Sequence, residues 1–194
     1  VYGEAGAGKT TLALQTSIEQ AKLGRKTVFV CTKEEFPAER ALTMSRGNKL
    51  LLKSILVTRV RSFDEQESLV LRLEDSVSEY RPSLVVFDTI TFAYRVSLTE
   101  NVLDNVKLNM RLARQVALLF DVARKHNVAV LLLSDVTWAE HGEQPVSSKI
   151  LFFWSSVILK IEKMQREGYR LVEVVRHHEV STEARKNVVI KLTE

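Results

Sequence analysis

The sequence contains a single cysteine, Cys31, among 194 residues. One cysteine cannot form an internal disulfide, and its scarcity fits a reducing compartment. No apolar run is long enough to span a membrane, and no secretory signal opens the chain. We therefore expect a cytoplasmic protein without a membrane partner.

The composition is that of an ordinary globular domain. Hydrophobic residues make up 45% and charged residues 27% of the chain, which are average values for such domains. No linker, internal repeat or low-complexity segment divides the sequence, so residues 1–194 are predicted to form one domain. The formal net charge of +4 permits contact with nucleic acid but does not require it.

A glycine-rich segment near the start fits the phosphate-binding pattern G-x-x-x-x-G-K-[ST] at every defined position. Glycines let the backbone N–H groups approach phosphate oxygens, and Lys9 can reach the β- and γ-phosphates. The alternative is a glycine-rich turn that contains Lys-Thr by coincidence, but strand, loop and helix follow in the order that the motif requires. We predict that ATP is bound by Gly3, Glu4, Ala5, Gly6, Ala7, Gly8, Lys9, Thr10 and Thr11.

Only Val1 and Tyr2 represent the strand that should precede this loop, and the chain does not begin with methionine. We therefore expect the sequence to be part of a longer protein with further residues before Val1.

Apolar runs rich in β-branched residues alternate with helical patterns along the chain. This alternation predicts an α/β fold, a mainly parallel sheet flanked by helices, with antiparallel strands at the C-terminal end. Strands are predicted over 27–31, 55–58, 84–88, 128–134, 155–163, 169–176 and 188–192. Helices are predicted over 10–23, 37–44, 63–81 and 102–125, and a polar loop over 138–147.

The strand at 84–88 is apolar and ends in Asp88, the usual form of a Walker B segment, although many buried strands end in aspartate. Ligands of parallel sheets bind at the carboxyl ends of the strands, so Asp88 and Asp135 should lie at one edge with the phosphate loop. We predict that Mg²⁺ is held by the Thr10 hydroxyl and, through water, by Asp88. The strands that lie between the two motifs in sequence should place one strand of the sheet between the phosphate-loop strand and the 84–88 strand. Such an order favours a RecA-like over a kinase-like arrangement.

Several segments resemble the RecA/RadA recombinase superfamily, and most closely its short archaeal RadB paralogues. They are residues 1–4, 10–16, 36–40, 88–95, 112–115 and 123–130. The resemblance covers almost the whole chain and implies a single RecA-type ATPase core that uses ATP and Mg²⁺ in or beside recombinational DNA repair. The predicted partners are a RadA-type recombinase or another repair protein, weakly bound DNA, and further copies of the chain.

The resemblance assigns two roles just after the strand at 27–31. Family members carry a glutamate that orients the attacking water where this chain has Lys33, and a charged lysine cannot accept a proton from water. Glu34 is our candidate substitute base, with Glu35 next to it; alternatively both are solvated loop charges. Arg40 matches an arginine that stacks on adenine, or else it is a helix-surface arginine.

The resemblance also places a γ-phosphate-sensing glutamine at the position of Asp135. A carboxylate there is repelled by the γ-phosphate unless Mg²⁺ or Lys9 sits between them. Asp135 could polarise a water instead, or simply cap the end of a strand. Lys9, Glu34 and Asp135 are therefore the predicted catalytic residues.

Three further features bear on partners. The 137–144 loop matches a DNA-contacting loop of the recombinases but carries two acids and no lysine or arginine, which predicts weak DNA binding. Trp138 either stacks on a base or packs at an interface.

The helix at 102–125 is apolar on more than one face, so either both faces pack on the domain or one meets a partner. Arg176 either serves a neighbouring subunit's site or is a surface arginine, and basic residues recur at 185–186.

Two functions follow from these patterns. One is an ATP-binding, slowly hydrolysing recombinase paralogue, which the RadB-like segments favour. The other is a nucleotide-dependent regulatory or interaction module, similar to single-domain relatives of the KaiC clock ATPases, with little or no hydrolysis. Lys33 and the acidic loop favour this second function.

Overall fold

The secondary structure comes from a computed structural model that describes residues 1–139, 142–177 and 187–192. The helices are α1 Lys9–Lys22, α2 Ala38–Met44, α3 Lys49–Leu52, α4 Phe63–Leu71, α5 Leu73–Tyr80, α6 Phe92–Val96, α7 Val102–His126 and α8 Ser148–Trp154. The strands are β1 Thr27–Cys31, β2 Ile55–Arg59, β3 Leu84–Asp88, β4 Ala129–Leu132, β5 Val136–Ala139, β6 Gly142–Pro145, β7 Val157–Lys163, β8 Tyr169–His177 and β9 Asn187–Lys191.

The central sheet is parallel, with strand order β2-β1-β3-β4. Strands β7, β8 and β9 form an antiparallel sheet, and Tyr2 forms bridges to Ser134 on one side and to Lys160 on the other. The residues before the phosphate loop therefore lie between the two sheets. The predicted fold class, a mainly parallel sheet with antiparallel strands at the C-terminal end, is confirmed.

A strand does separate the start of the phosphate loop from β3, but it is not one of those between the two motifs in sequence. It is β4, which pairs with β3 on one edge and adjoins Tyr2 through Ser134. Strands β1 and β2 lie on the opposite side of β3. The prediction had the right separation and the wrong strand, because sequence order does not determine on which side of β3 a strand is added.

Both faces of the parallel sheet are covered, as the apolar strands require. Alternate residues of a strand point to opposite faces. Val28 and Val30 pack with residues of α4 to α8, whereas Phe29 and Cys31 pack with α1 and α2. The two layers of helices leave the carboxyl ends of the strands as the place where a ligand can enter.

Two sequence-based predictions of local structure were wrong. The helix expected from residue 63 to Pro82 is divided at Arg72 (φ −102°, ψ 2°) into α4 and α5; Val70, Leu73 and Val77 are buried as predicted, but Tyr80 is exposed. The loop expected over 138–147 contains part of an antiparallel hairpin, β5 with β6. Its sequence is too polar to show the apolar alternation by which strands are recognised.

Helix α7 begins at Val102, as predicted, and ends one residue beyond Lys125. Its buried apolar residues are Leu112, Val116, Leu119 and Val122. Leu103, Val106 and Met110 are 71%, 48% and 68% exposed, so the N-terminal half presents an apolar face to solvent. None of the helices in the described ranges combines the length and apolarity needed to cross a membrane.

Candidate nucleotide-binding site

A cleft of about 790 Å³ opens at the carboxyl ends of the parallel strands. The start of α1 forms one wall, the segment after β1 and α2 form another, and the ends of β3 and β4 close the third side. The lining residues are Ala5, Gly6, Gly8, Lys9, Thr10, Thr11, Cys31, Lys33, Glu34, Glu35, Pro37, Arg40, Thr43, Asp88, Thr89, Asp135 and Arg170. Most of the residues predicted from sequence therefore meet in one place; Gly3, Glu4 and Ala7 support the loop without lining the cleft.

Two glycines of the loop are required by their surroundings. A Cβ atom at Gly3 would lie 2.2 Å from the carbonyl oxygen of Ile161, on β7. Gly8 caps α1 with φ +100°, and a Cβ there would lie 2.2 Å from Cδ1 of Leu192. The antiparallel sheet thus packs so closely on the loop that any side chain at these positions would displace it.

Lys9 is buried at the first turn of α1. Its Nζ donates hydrogen bonds to the carbonyl oxygens of Gly3 at 2.7 Å and Glu4 at 2.9 Å. It also forms an ion pair with Oδ1 of Asp135 at 3.0 Å. The side chain therefore fixes the curvature of the loop and links it to the end of β4.

The predicted metal ligands lie side by side. Thr10 Oγ1 donates a hydrogen bond of 2.6 Å to Oδ2 of Asp88, although the two residues are 78 positions apart in sequence. Burial raises the pKa of the Asp88 carboxyl, while the Thr10 hydrogen bond and the Lys9 charge oppose the rise. A hydroxyl and a carboxylate oxygen suit a hard cation, so these residues fit Mg²⁺.

The structure places both loop acids at the cleft and pairs one of them. Glu35 forms an ion pair with Arg59 at 2.7 Å. Lys33 and Glu34 are exposed at the cleft and form no ion pair among the described residues. Glu34 therefore faces the site without a side chain that would hold it in one orientation.

Arg40, the predicted adenine contact, lies on α2 at the rim of the cleft. Its Nη1 is 3.5 Å from Thr11 Oγ1, a long hydrogen bond that leaves the side chain exposed. The guanidinium thus lies beside the first turn of α1 rather than on a surface remote from the site.

Arg170, on β8, is a cleft residue that the sequence did not reveal. Its Nε donates to the carbonyl oxygen of Ala7 at 2.8 Å, and its Nη1 donates to that of Tyr169 at 2.8 Å. No local motif marks this arginine, because its place depends on the docking of β8 against a loop 163 residues away in sequence.

The residues considered for partner contacts differ in their exposure. Trp138 is 79% exposed. Glu143 pairs with Lys160 at 3.3 Å and is only 13% exposed, so one acid of the 137–144 segment is neutralised. Arg176 donates to the carbonyl oxygen of Phe152 at 2.6 Å and does not line the cleft. The remaining residues of these predictions, Glu140, His141, Arg185 and Lys186, lie outside the described residues.

Comparison with known proteins identifies the family of this chain. The model of the family described as Rad51 matches residues 1–191. The chain belongs to the Rad51 family. The predicted resemblance to the RecA/RadA superfamily, and to RadB within it, is confirmed.

The relatives of this Rad51-family chain span most of its length. The DNA repair and recombination protein RadB of Methanococcus maripaludis strain C7 is 31% identical over 178 residues, which are 91% of this chain and 81% of the relative. RadB of Methanocaldococcus jannaschii is 29% identical over 178 residues, 91% of this chain and 82% of the relative. The crystal structure of the RadB recombinase superposes with a TM-score of 0.80 at 28% identity, covering 99% of this chain and 85% of that one. The RecA-like fold is thereby confirmed.

The raised pKa of Asp88 predicts an unusual effect of Asp88→Asn. The folded protein holds the proton of the Asp88 carboxyl more tightly than the unfolded chain does, so the ionised carboxylate opposes folding. The free energy of unfolding therefore falls as the pH rises from the ordinary pKa of the carboxyl through its raised pKa in the folded protein. Without nucleotide, Asp88→Asn should raise the Tm at pH 7 to 8, and the gain should shrink toward pH 4. Asp121→Asn, at an exposed position of α7, controls for net charge. A lower Tm for Asp88→Asn at pH 7 to 8 would contradict this account.

Proposed function

We propose that this chain binds ATP with Mg²⁺ in the cleft and hydrolyses it slowly, as a recombinase paralogue that assists DNA recombination and repair. The observation that carries the proposal is the contact between Thr10 and Asp88, 2.6 Å apart, beside the buried ammonium of Lys9. A phosphate loop and an acidic strand end brought together in this way form the usual framework for a nucleoside triphosphate. The names of the relatives support the repair context and a RadA-type recombinase or other repair protein as partner.

Binding is divided among the elements of the cleft. The 3–11 loop presents its backbone N–H groups to the phosphates, and Lys9 supplies a charge within reach of the β- and γ-oxygens. Thr10 would hold Mg²⁺ directly and Asp88 through water; when bound, the ion neutralises the phosphate oxygens. Arg40 lies on α2 at the rim of the cleft, where its planar guanidinium can stack on adenine.

Hydrolysis is slow in this proposal because the candidate base, Glu34, is not held in one orientation. Glu34 acts as a poor substitute base: it lies at the cleft but is exposed, and a base works best when packing fixes its orientation. Lys33 cannot take its place while charged. Asp135 orients a water once it is released from Lys9.

A regulatory or interaction module with little or no hydrolysis, similar to the KaiC relatives, is the second candidate. Two observations favour it: Lys33 occupies the position of the expected base, and Asp135 is paired with the phosphate-loop lysine at 3.0 Å. Both features leave nucleotide binding possible and remove help for the attacking water. Turnover measured with and without single-stranded DNA separates the two candidates.

Lys9→Ala tests nucleotide binding. Losing the ammonium removes a charge-assisted contact to phosphate, which should weaken the affinity for Mg-ATP roughly 10- to 100-fold or more and abolish turnover. Affinity is measured by calorimetry, with Tm confirming that the variant is folded. Lys53→Ala, at an exposed position, is the matched control and should bind as the wild type does. Unchanged affinity in folded Lys9→Ala would refute the proposal.

Lys33→Glu and Glu34→Gln test the base. If the expected position is vacant, Lys33→Glu should raise steady-state turnover, since general-base assistance is worth about 10²- to 10⁴-fold. If Glu34 already serves, Glu34→Gln should lower turnover strongly and Lys33→Glu should change it little. Brisk wild-type turnover that survives Glu34→Gln, Glu35→Gln and Asp135→Asn would exclude both versions.

DNA contact is proposed to be weak, with a shallow salt dependence. Each phosphate neutralised by a basic side chain adds about 0.9 to the slope of log affinity against log salt concentration. The described part of the 137–144 segment offers no lysine or arginine, although Lys160 neutralises Glu143. Fluorescence anisotropy with a single-stranded oligonucleotide over a salt series gives the slope. A value of roughly 6 or more would reveal a strong phosphate-binding surface.

A further inference from the structure

The ammonium of Lys9 has no donor to spare. A lysine ammonium carries three N–H groups, and three oxygens surround it: the carbonyls of Gly3 at 2.7 Å and Glu4 at 2.9 Å, and Oδ1 of Asp135 at 3.0 Å. The side chain is only 6% exposed. A phosphate oxygen can therefore take a hydrogen bond from Lys9 only by displacing one of these acceptors.

Asp135 is the acceptor that a phosphate most resembles. The other two are carbonyl oxygens of the loop itself, whereas Asp135 is an anion brought from the end of β4. Its backbone is fixed, because its carbonyl oxygen accepts from the N–H of Val146 at 3.1 Å and from Ser134 Oγ at 2.9 Å. The carboxylate can leave Lys9 by rotation of the side chain, but the backbone does not carry it away.

The local charge makes this competition unequal for different nucleotides. Lys9 contributes one positive charge, and Asp88 and Asp135 one negative charge each, a sum of −1 when both carboxylates are ionised. Of the other cations near the cleft, Arg170 is committed to the carbonyls of Ala7 and Tyr169, and Lys33 and Arg40 lie exposed. The ammonium of Lys163 lies beside Gly6 and forms no ion pair with Asp135. The γ-phosphate, which ATP has and ADP lacks, therefore meets a net negative charge when it approaches Asp135.

The phosphate groups of a nucleotide depend on Lys9 to different degrees. The backbone N–H groups of the loop cradle the α- and β-phosphates, while the lysine reaches the β- and γ-phosphates. The terminal group of ADP thus has the loop as well as Lys9, but the terminal group of ATP relies more on side chains. A carboxylate on Lys9 consequently opposes ATP more than ADP.

We propose that Asp135 is a nucleotide-selectivity residue: it competes with the γ-phosphate for Lys9 and shifts the preference of the cleft from ATP toward ADP. This inference rests on the proposed nucleotide binding and gives that site a built-in bias. ATP binds by turning Asp135 off Lys9, and loss of the γ-phosphate lets the ion pair form again. The pair therefore favours the product state of the site.

The test compares two ligands on three proteins. Dissociation constants for Mg-ADP and for a non-hydrolysable Mg-ATP analogue with a β,γ-imido bridge are measured by calorimetry on the wild type, Asp135→Asn and Glu39→Gln. Asp135→Asn should shift the ratio of the two constants toward the ATP analogue by about tenfold or more, since it removes a like charge from beside the γ-phosphate. Glu39→Gln removes one negative charge from an exposed position of α2, the helix that forms a wall of the cleft, without touching Lys9, and its ratio should change less than about threefold.

Asp135→Gln serves as a second neutral variant, and Tm identifies any variant that does not fold. If the ligands bind and both Asp135 variants keep the wild-type ratio, or shift it toward ADP, the inference is wrong while the proposed nucleotide binding stands. An equal shift in Glu39→Gln would also overturn it, because the effect would then come from the general negative charge around the cleft. If neither ligand binds to the folded wild type, both the proposed function and the inference fail.

Discussion

The backbone of Tyr2 is the contact on which the rest of the structure depends. Its N–H donates to the carbonyl oxygen of Leu159, and its own carbonyl accepts from the N–H of Ile161, both at 2.9 Å. On the other side, the N–H of Ser134 donates to the carbonyl of Val1 at 3.0 Å. A segment of two residues thus joins the parallel sheet to the antiparallel one. Since the phosphate loop begins at the next residue, its position is fixed from both sheets at once.

This attachment explains why the antiparallel strands belong to the site although most of their residues lie outside the cleft. The side chain of Leu192 packs where Gly8 has no Cβ, and Arg170 holds the carbonyl of Ala7. Ala7, Ile161 and Val172 form a small buried cluster beneath the loop. The loop is therefore covered on its outer side by a sheet, and its inner side is left for the ligand. A change in β8 or β9 would reach the phosphates through these contacts.

The sequence allowed prediction of those parts whose signals are local. Strands β1 and β3 have the predicted limits, 27–31 and 84–88, because each is a short apolar run between polar residues. Helix α4 begins after a serine, the residue type typical of a helix start, and the N–H of Glu65 donates to Ser62 Oγ at 3.1 Å. Three features could not be predicted in this way: the place of Arg170 at the cleft, the hairpin of β5 and β6, and the position of β4 in the sheet. Each depends on which strands meet in the folded sheet, and no short segment records that.

The charges of the site also explain why its nucleotide affinity cannot be predicted from a motif alone. Lys9, Asp88 and Asp135 are recognised one at a time in the sequence, but their effect comes from the distances between them and from the burial of Lys9. Burial raises the pKa of Asp88, so this carboxylate is held at a cost that a cation beside it would reduce. Asp135 already forms an ion pair with a buried cation, Lys9, at 3.0 Å. A bound magnesium nucleotide would therefore rearrange all three groups together, because it brings a cation to Asp88 and a phosphate to Lys9. The nucleotide affinity of the cleft is set by the difference in free energy between the empty and the bound arrangement of these groups, and not by the loop alone.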